Sequence, residues 1–139
     1  GNEWYGKKPD QESLFQLVRN LNAWRKGMAK DFLVYGKMVK PLPITGSDSV
    51  SMATWNKQNV KMASYTTSRW EDSKGNIGQI VVNFTTKEQI FTMKGIKSNR
   101  VKVYRNPEDK IFQTVIPDKN RELKLTIPPL SANLLIENR

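Results

Sequence analysis

The chain has 139 residues, of which 37% are hydrophobic and 26% are charged. These are the proportions of an ordinary globular domain that is long enough to bury one core. It contains no cysteine and no histidine, which excludes disulfides, thiolate zinc sites and every catalytic scheme that needs imidazole. We therefore predict no metal site and no cofactor. The longest apolar runs are too short to cross a bilayer, so no membrane span is expected.

The charge balance is basic, with 23 lysines and arginines against 13 acidic residues and a net charge of +10. Such a balance suggests nucleic acid or another anionic partner. The cations are spread along the chain, however, with acidic residues between them and no run of five like charges. We interpret the charge mainly as a solvated surface and keep an anionic partner as the alternative.

The N-terminal part predicts a single long helix. Asp10 is a suitable N-cap, Gly27 is a plausible break, and Gly36 is a plausible end of a helix of about 25 residues. Apolar residues recur there every three or four positions, at Leu14, Leu17, Val18, Leu21, Trp24, Met28, Phe32 and Tyr35. This wide stripe predicts contact with a neighbouring helical layer outside the chain, or a homodimer formed through the stripe. The start at Gly1 agrees with the expectation that the chain is a piece of a longer protein.

The rest of the chain predicts an all-β arrangement. Residues 40–50 are rich in proline, glycine and serine and are expected to form a linker. Short strand-like runs separated by turn residues then follow, as in an antiparallel sandwich; they are Ser51–Asn56, two runs within 60–85, Gln89–Lys94, Arg100–Arg105, Ile111–Ile116, Glu122–Ile127 and Asn133–Glu137. We predict a mainly β fold: a sandwich of about 7–8 strands over residues 51–139, preceded by the linker and by one amphipathic helix within residues 1–39.

Residues 60–85 form the centre of this prediction, as two strands joined by a polar turn at 71–76. In the first strand, Val60, Met62 and Trp70 share one face, and Lys61, Tyr65 and Arg69 share the face that we expect to be wetter. In the second strand both faces are apolar around residues 80–82, which predicts a central strand covered on both sides.

The order of motifs resembles the C-terminal end of large bacterial glycoside-hydrolase-like proteins, in which a (β/α)8 barrel is followed by a β-sandwich. The similarity covers residues 14–136 and rests on structural motifs. These are Tyr35-Gly36-Lys37-Met38, Ala53-Thr54-Trp55, Ser68-Arg69-Trp70, the strand Gly78–Thr85, and the closing segment Leu125–Ala132 with its Pro-Pro-Leu-Ser-Ala sequence.

The resemblance implies that the helix is the last helix of the barrel and that the sandwich packs against that barrel. The catalytic carboxylates would then lie upstream of Gly1, at the C-terminal ends of barrel strands. The chain itself is therefore predicted to be non-catalytic, an accessory and stabilising domain. The parent would be a secreted or periplasmic protein of carbohydrate metabolism.

The residues leave two kinds of binding site open. Aromatic rings can stack on sugars, so a carbohydrate-binding module is the first alternative, with Tyr65, Arg69, Trp55 and Trp70 as weak ligand-binding candidates; packing in the core is the competing interpretation of the tryptophans. The second alternative, which we disfavour, is a nucleic-acid-binding strand face. It would use Arg69, Lys94, Lys97, Arg100, Lys102 and Arg105 with Tyr104. The acidic pairs Glu71-Asp72 and Glu108-Asp109 are predicted to serve turns instead of catalysis.

Overall fold

The structure is a computed structural model and describes residues 11–27, 29–46, 49–53, 59–105 and 111–138. The sequence predictions that fall outside these ranges are the N-cap at Asp10, the stripe residue Met28, the candidate Trp55, the end of the predicted strand Ser51–Asn56, and the pair Glu108-Asp109. Within the described residues, neither helix has the length and apolarity needed to cross a membrane.

The predicted helix is present and is broken in two. α1 spans Gln11–Lys26 and α2 spans Lys30–Leu33, with the break at the predicted Gly27. The helix ends at Leu33, three residues before the predicted stop at Gly36, whose amide still donates to the carbonyl of Phe32 at 3.0 Å. A side chain could not be accommodated at this position, because a Cβ on Gly36 would lie 2.3 Å from that carbonyl oxygen.

Eleven strands follow in the described residues. They are β1 Lys37–Val39, β2 Ile44–Thr45, β3 Ser49–Ala53, β4 Asn59–Ala63, β5 Tyr65–Glu71, β6 Ile77–Asn83, β7 Gln89–Lys94, β8 Val101–Tyr104, β9 Gln113–Val115, β10 Glu122–Ile127 and β11 Ser131–Glu137. The predicted bounds of β7 and β10 coincide with the observed ones. The number of strands exceeds the predicted 7–8 for two reasons. β1 and β2 have only three and two residues, too few to show a period, and the predicted first strand of the central hairpin is divided into β4 and β5. β2 lies inside the segment predicted to be a linker.

The strands form an antiparallel sandwich, as the sequence predicts. The large sheet has the order β1-β5-β6-β11-β8-β9, the small sheet has the order β10-β7-β2, and β3 and β4 form a separate hairpin. The core lies between the two sheets and consists of buried side chains from β6, β7, β8, β10 and β11 with Ile96. On β10, residues 123, 125 and 127 are buried and the two between them are exposed, the alternation of a strand with one wet face.

The helices form a third layer on the outer face of the large sheet. Trp24 and Ala29 pack there with Ile80, Ala132 and Leu134. The sheet is shaped to receive the helix, since a Cβ on Gly78 would come within 3.0 Å of the Phe32 ring. β6 is therefore covered on both faces, as predicted: Ile80 contacts the helical layer and Val81 belongs to the core between the sheets.

The predicted first strand of the central hairpin is in fact two strands, because the chain breaks at Ser64. β4 pairs with β3, whereas β5 joins the large sheet beside β6. This break overturns the expectation that Tyr65 and Arg69 lie on a wet face. Both point towards the inter-sheet side, where the Tyr65 ring meets Phe91 edge-on at 5.4 Å between centroids.

Candidate functional site

A basic groove lies at the β8–β9 edge of the large sheet and has a volume of about 670 Å³. We call it the β8–β9 groove. Its described lining comprises three cations, four neutral hydrogen-bonding side chains and one aromatic ring, with no carboxylate among these eight. They are Lys97, Arg100, Lys102, Ser98, Asn99, Thr114, Asn138 and Phe112.

Strand alternation places the groove side chains. On β8, Val101 and Val103 are buried in the core, so Lys102 points to the opposite, outer face. Lys102 pairs with Thr114 across the β8–β9 ladder, which brings both side chains to the same face. The Phe112 ring lies 4.8 Å from the Lys102 Nζ, close enough for a cation–π interaction. It is 39% exposed, so part of the ring remains open to solvent.

The rim of the groove, residues 97–100, is held by Arg121. The Arg121 carbonyl accepts hydrogen bonds from the amides of Gly95 and Ile96, both at 3.1 Å. Its guanidinium donates to the carbonyl of Lys97 and, at 3.2 Å, to the Oδ1 of Asn99. Arg121 has a φ of 61°, an uncommon conformation for a non-glycine residue that persists only where surrounding contacts impose it. The rim is therefore positioned before any ligand arrives.

A buried ion pair supports the same rim from below. Arg69 Nη2 donates to Glu137 Oε2 at 2.6 Å, and these two side chains are only 12% and 8% exposed. Glu137 Oε1 accepts a hydrogen bond from the Ser98 amide at 3.3 Å, while Arg69 Nη1 donates to Gln79 Oε1 at 3.0 Å. Because Arg69 compensates the charge of Glu137, this carboxylate offsets little of the positive potential of the groove.

A second exposed feature lies on the helical side of the molecule, and we call it the helix-side apolar surface. Phe15 and Val18 on α1 are 53% and 54% exposed, Val34 and Tyr35 after α2 are 45% and 71% exposed, and Met38 on β1 is 62% exposed. The helix stripe is thus divided: Leu17, Trp24 and Phe32 are buried, whereas Val18 and Tyr35 face solvent. A smaller cavity of about 420 Å³ beside this surface is lined by Asn22, Arg25, Lys26, Lys30 and Val34.

The structure separates the candidate ligand-binding residues predicted from the sequence. Tyr65 packs in the core and its hydroxyl donates to the Ile44 carbonyl at 3.4 Å. Arg69 is engaged in the buried ion pair. Trp70 is half-buried on the outer face, opposite Met38 in the β1–β5 ladder, and its Nε1 donates to Ser68 Oγ at 3.0 Å. Trp55 lies outside the described residues. The assignment of these four as ligand-binding residues stays a prediction.

The basic residues that the sequence groups as candidates for an anionic partner do not all lie together in the structure. Lys97, Arg100 and Lys102 line one groove, whereas Lys94 lies on the small sheet with its Nζ 3.9 Å from Glu122. Sequence reasoning missed Phe112, Thr114 and Arg121. The spacing of Thr114 within a predicted strand opposite Lys102 could have pointed to the first two, but nothing local in the sequence marks Arg121 as the residue that holds the rim.

Most described carboxylates have visible structural partners. Asp72 closes the β5–β6 turn by accepting from the amides of Lys74 and Asn76 at 2.9 and 2.8 Å. Desolvation alone would raise the pKa of Asp72, but hydrogen bonds from Asn76 and Lys74 together with the charge of Lys74 hold it below its ordinary value. Asp118 similarly accepts from the amides of Asn120 and Glu122. In the described part of the chain, no three acidic residues cluster as metal ligands would.

Comparison with known proteins yields structural neighbours only. No protein-family model and no curated sequence matches the chain. A family 51 α-L-arabinofuranosidase from Thermotoga petrophila aligns with a TM-score of 0.48 and 16% identity, over 73% of this chain and 26% of that one. A bifunctional glucanase-xylanase from a metagenome library aligns with a TM-score of 0.47 and 15% identity, over 63% and 18%.

A family 44 endoglucanase from Clostridium thermocellum aligns with a TM-score of 0.40 and 12% identity, over 63% of this chain and 18% of that one. The neighbours are thus glycoside hydrolases, and this chain spans about a quarter or less of the length of each.

Proposed function

We propose that this chain is a non-catalytic accessory domain of a glycoside-hydrolase-like protein, and that it stabilises a catalytic barrel by packing against it. The observation that carries the proposal is the helix-side apolar surface. Five large apolar side chains are exposed there, on α1, after α2 and on β1. Five of the nine large apolar side chains that are exposed in the described residues lie on this side, and a concentration of exposed apolar surface is typical of an interaction site.

The geometry of the helical layer explains why the surface is available for docking. The inward side of α1 and the segment that follows it are already packed on the large sheet through Trp24 and Phe32, so the helix is fixed in place. Its outward residues then present a rigid surface, and a preformed surface costs less entropy to bind than a mobile one. This arrangement suits the domain interface that the sequence resemblance implies, in which the helix lies between sandwich and barrel.

Charges beside the surface indicate what the partner should offer. Arg25, Lys26 and Lys30 line the cavity next to Val34. A barrel surface with an apolar centre and carboxylates at its edge would complement both features, and interfaces between domains of one chain commonly bury about 600–1,500 Å². Three of the described acids support a non-catalytic role, because Glu137 belongs to an ion pair and Asp72 and Asp118 stabilise turns.

The test compares two double variants in the full-length gene product and in this chain alone. Val18→Lys/Met38→Lys places charge on the proposed interface, whereas Phe15→Lys/Ile90→Lys splits its changes between the interface and the exposed face of β7. Ile90→Lys alone is the matched control, since Ile90 is 51% exposed on the small sheet.

We expect Val18→Lys/Met38→Lys to lower the thermal midpoint of the full-length protein while leaving that of the isolated chain unchanged. Ile90→Lys should change neither, and the split variant should show an intermediate loss. Equal midpoints for all variants in the longer protein would refute the proposal. Release of reducing sugar from arabinan, xylan or glucan by the purified chain alone would refute the non-catalytic assignment.

A further inference from the structure

We propose that the β8–β9 groove binds an acidic oligosaccharide, one whose sugar rings carry carboxylates. The inference goes beyond the accessory role and is independent of it. β9 and β1 are the opposite edges of the large sheet, so the groove and the Met38 end of the helix-side apolar surface are separate places on the molecule.

Charge is the first reason for the proposal. Lys97, Arg100 and Lys102 converge on one groove although they are not consecutive in sequence, and no carboxylate is among the eight described residues that line it. Glu137, the acid that holds the Ser98 amide, is compensated by Arg69 at 2.6 Å. A groove of this kind attracts anionic ligands, and arginine can additionally bind a carboxylate through two parallel hydrogen bonds.

The uncharged residues that line the groove favour an anion that also carries hydroxyl groups and an apolar face. Ser98, Asn99, Thr114 and Asn138 supply four side chains that can exchange hydrogen bonds with hydroxyl groups. The partly exposed Phe112 ring supplies one apolar platform for the C–H face of a sugar. A uronic acid unit offers a carboxylate, hydroxyls and such a face within one ring, so it matches all three components. A single-stranded nucleic acid is matched less well, because it stacks successive bases on several aromatic rings.

The groove is also preorganised. Arg121 holds the rim through its carbonyl and its guanidinium, and Glu137 holds the Ser98 amide. On the other wall, Phe112 is fixed by Lys102 and by the Tyr104 ring, whose centroid lies 5.6 Å away. Polar groups that are already oriented lose little entropy on binding, which is what a site for a weakly interacting, well-hydrated ligand requires.

The experiment measures binding of a hexameric oligogalacturonate by calorimetry, at low and at moderate salt. The variants are Arg100→Gln/Lys102→Gln, which removes two groove charges, and Phe112→Ala, which removes the platform. The matched control is Lys87→Gln/Lys124→Gln, which removes the same charge from exposed positions outside the groove. Lys97→Gln, a change at an exposed rim residue, replaces the double variant if the latter does not fold.

We expect the groove charge variant to weaken binding at least about fivefold and Phe112→Ala to weaken it by a similar factor, while the control stays within about twofold of wild type. The methyl-esterified hexamer, which has the same hydroxyls and no charge, should bind much more weakly than the acid. Equal losses in the groove and control variants would overturn the proposal, as would tighter binding of a dT oligonucleotide of matched charge. Equal affinity for the esterified hexamer would also overturn it.

Discussion

The inner face of the large sheet carries a polar cluster at each end of β6, and the two clusters satisfy buried polar groups in different ways. At one end, Arg69, Gln79 and Glu137 join three neighbouring strands through side-chain contacts. At the other end, Asn83 is fully buried and its Nδ2 donates to the carbonyls of Lys87, Ile127 and Pro128 at 2.8–3.0 Å. The first cluster is ionic and the second is neutral.

The difference shows what each cluster does. The neutral cluster fixes backbone: Asn83 ties the β6–β7 loop to the end of β10, and its Oδ1 accepts from the amide and the hydroxyl of Thr85 at 3.0 and 2.7 Å. The ionic cluster fixes a surface, because Glu137 uses its second oxygen to hold Ser98 at the rim of the β8–β9 groove. One end therefore closes the sandwich, and the other end also positions a candidate binding site.

The largest expected effect comes from removing the cation of the ionic cluster. Arg69→Met leaves Glu137 buried at 8% exposure without its partner, and the loss of one partner of a buried pair typically costs about 3–5 kcal/mol. Urea denaturation should show this loss in the free energy of unfolding. Arg25→Met, on the exposed side of α1, is the matched control and should change stability by less than about 0.5 kcal/mol. A loss below about 1 kcal/mol in Arg69→Met would show that the pair is better hydrated than its burial indicates.

The next largest effect should come from the neutral cluster. Asn83→Ala removes five hydrogen bonds and leaves three carbonyls without this donor. Buried groups that lose their partners cost about 1–3 kcal/mol each when fully desolvated, and partial relaxation should limit the total to about 2–4 kcal/mol. Asn22→Ala on exposed α1 is the control. The same denaturation series tests both, and equal stability of the two variants would contradict the structural role given to Asn83.

The sequence predicts the strands that carry the two polar clusters better than it predicts the clusters themselves. β7 and β10 were predicted with their observed bounds because their alternation is regular and turn residues flank them. The break at Ser64 escaped detection, since residues 60–70 read as one continuous strand-like run, and this reversed the face assigned to Arg69. The groove could not be assembled from the sequence either, because Arg121 and Glu137 reach its rim only through the pairing of distant strands. Local pattern predicts elements, whereas these contacts depend on tertiary register.

A double variant sharpens the contrast between the clusters. Arg69→Met/Glu137→Leu replaces the buried pair by apolar side chains and leaves no unpaired charge, so its stability should lie within about 1–2 kcal/mol of wild type. The coupling energy between the two positions should therefore be large, which a double-mutant cycle with Glu137→Leu measures. In Arg69→Met/Glu137→Leu the Ser98 amide also loses its acceptor, Glu137. Oligogalacturonate binding should therefore weaken in this variant even though the fold is retained. Strictly additive single effects would contradict the assignment of an interacting pair.

The smallest expected effect is a pH dependence of stability that arises at Asp72. Asp72 closes the β5–β6 turn, and its hydrogen bonds with Asn76 and Lys74 place its pKa in the folded chain below the ordinary value of 3.8. A carboxyl group with a depressed folded-state pKa contributes stability that is fully present above the unfolded pKa and is lost as the pH falls through the folded one. Asp72→Asn should therefore be less stable than wild type at neutral pH, and the difference should shrink below about pH 4.

Thr85→Val at the neutral end removes no titrating group, so its stability deficit should stay constant over the same range. Parallel pH profiles for Asp72→Asn and wild type would remove Asp72 as the source of this dependence.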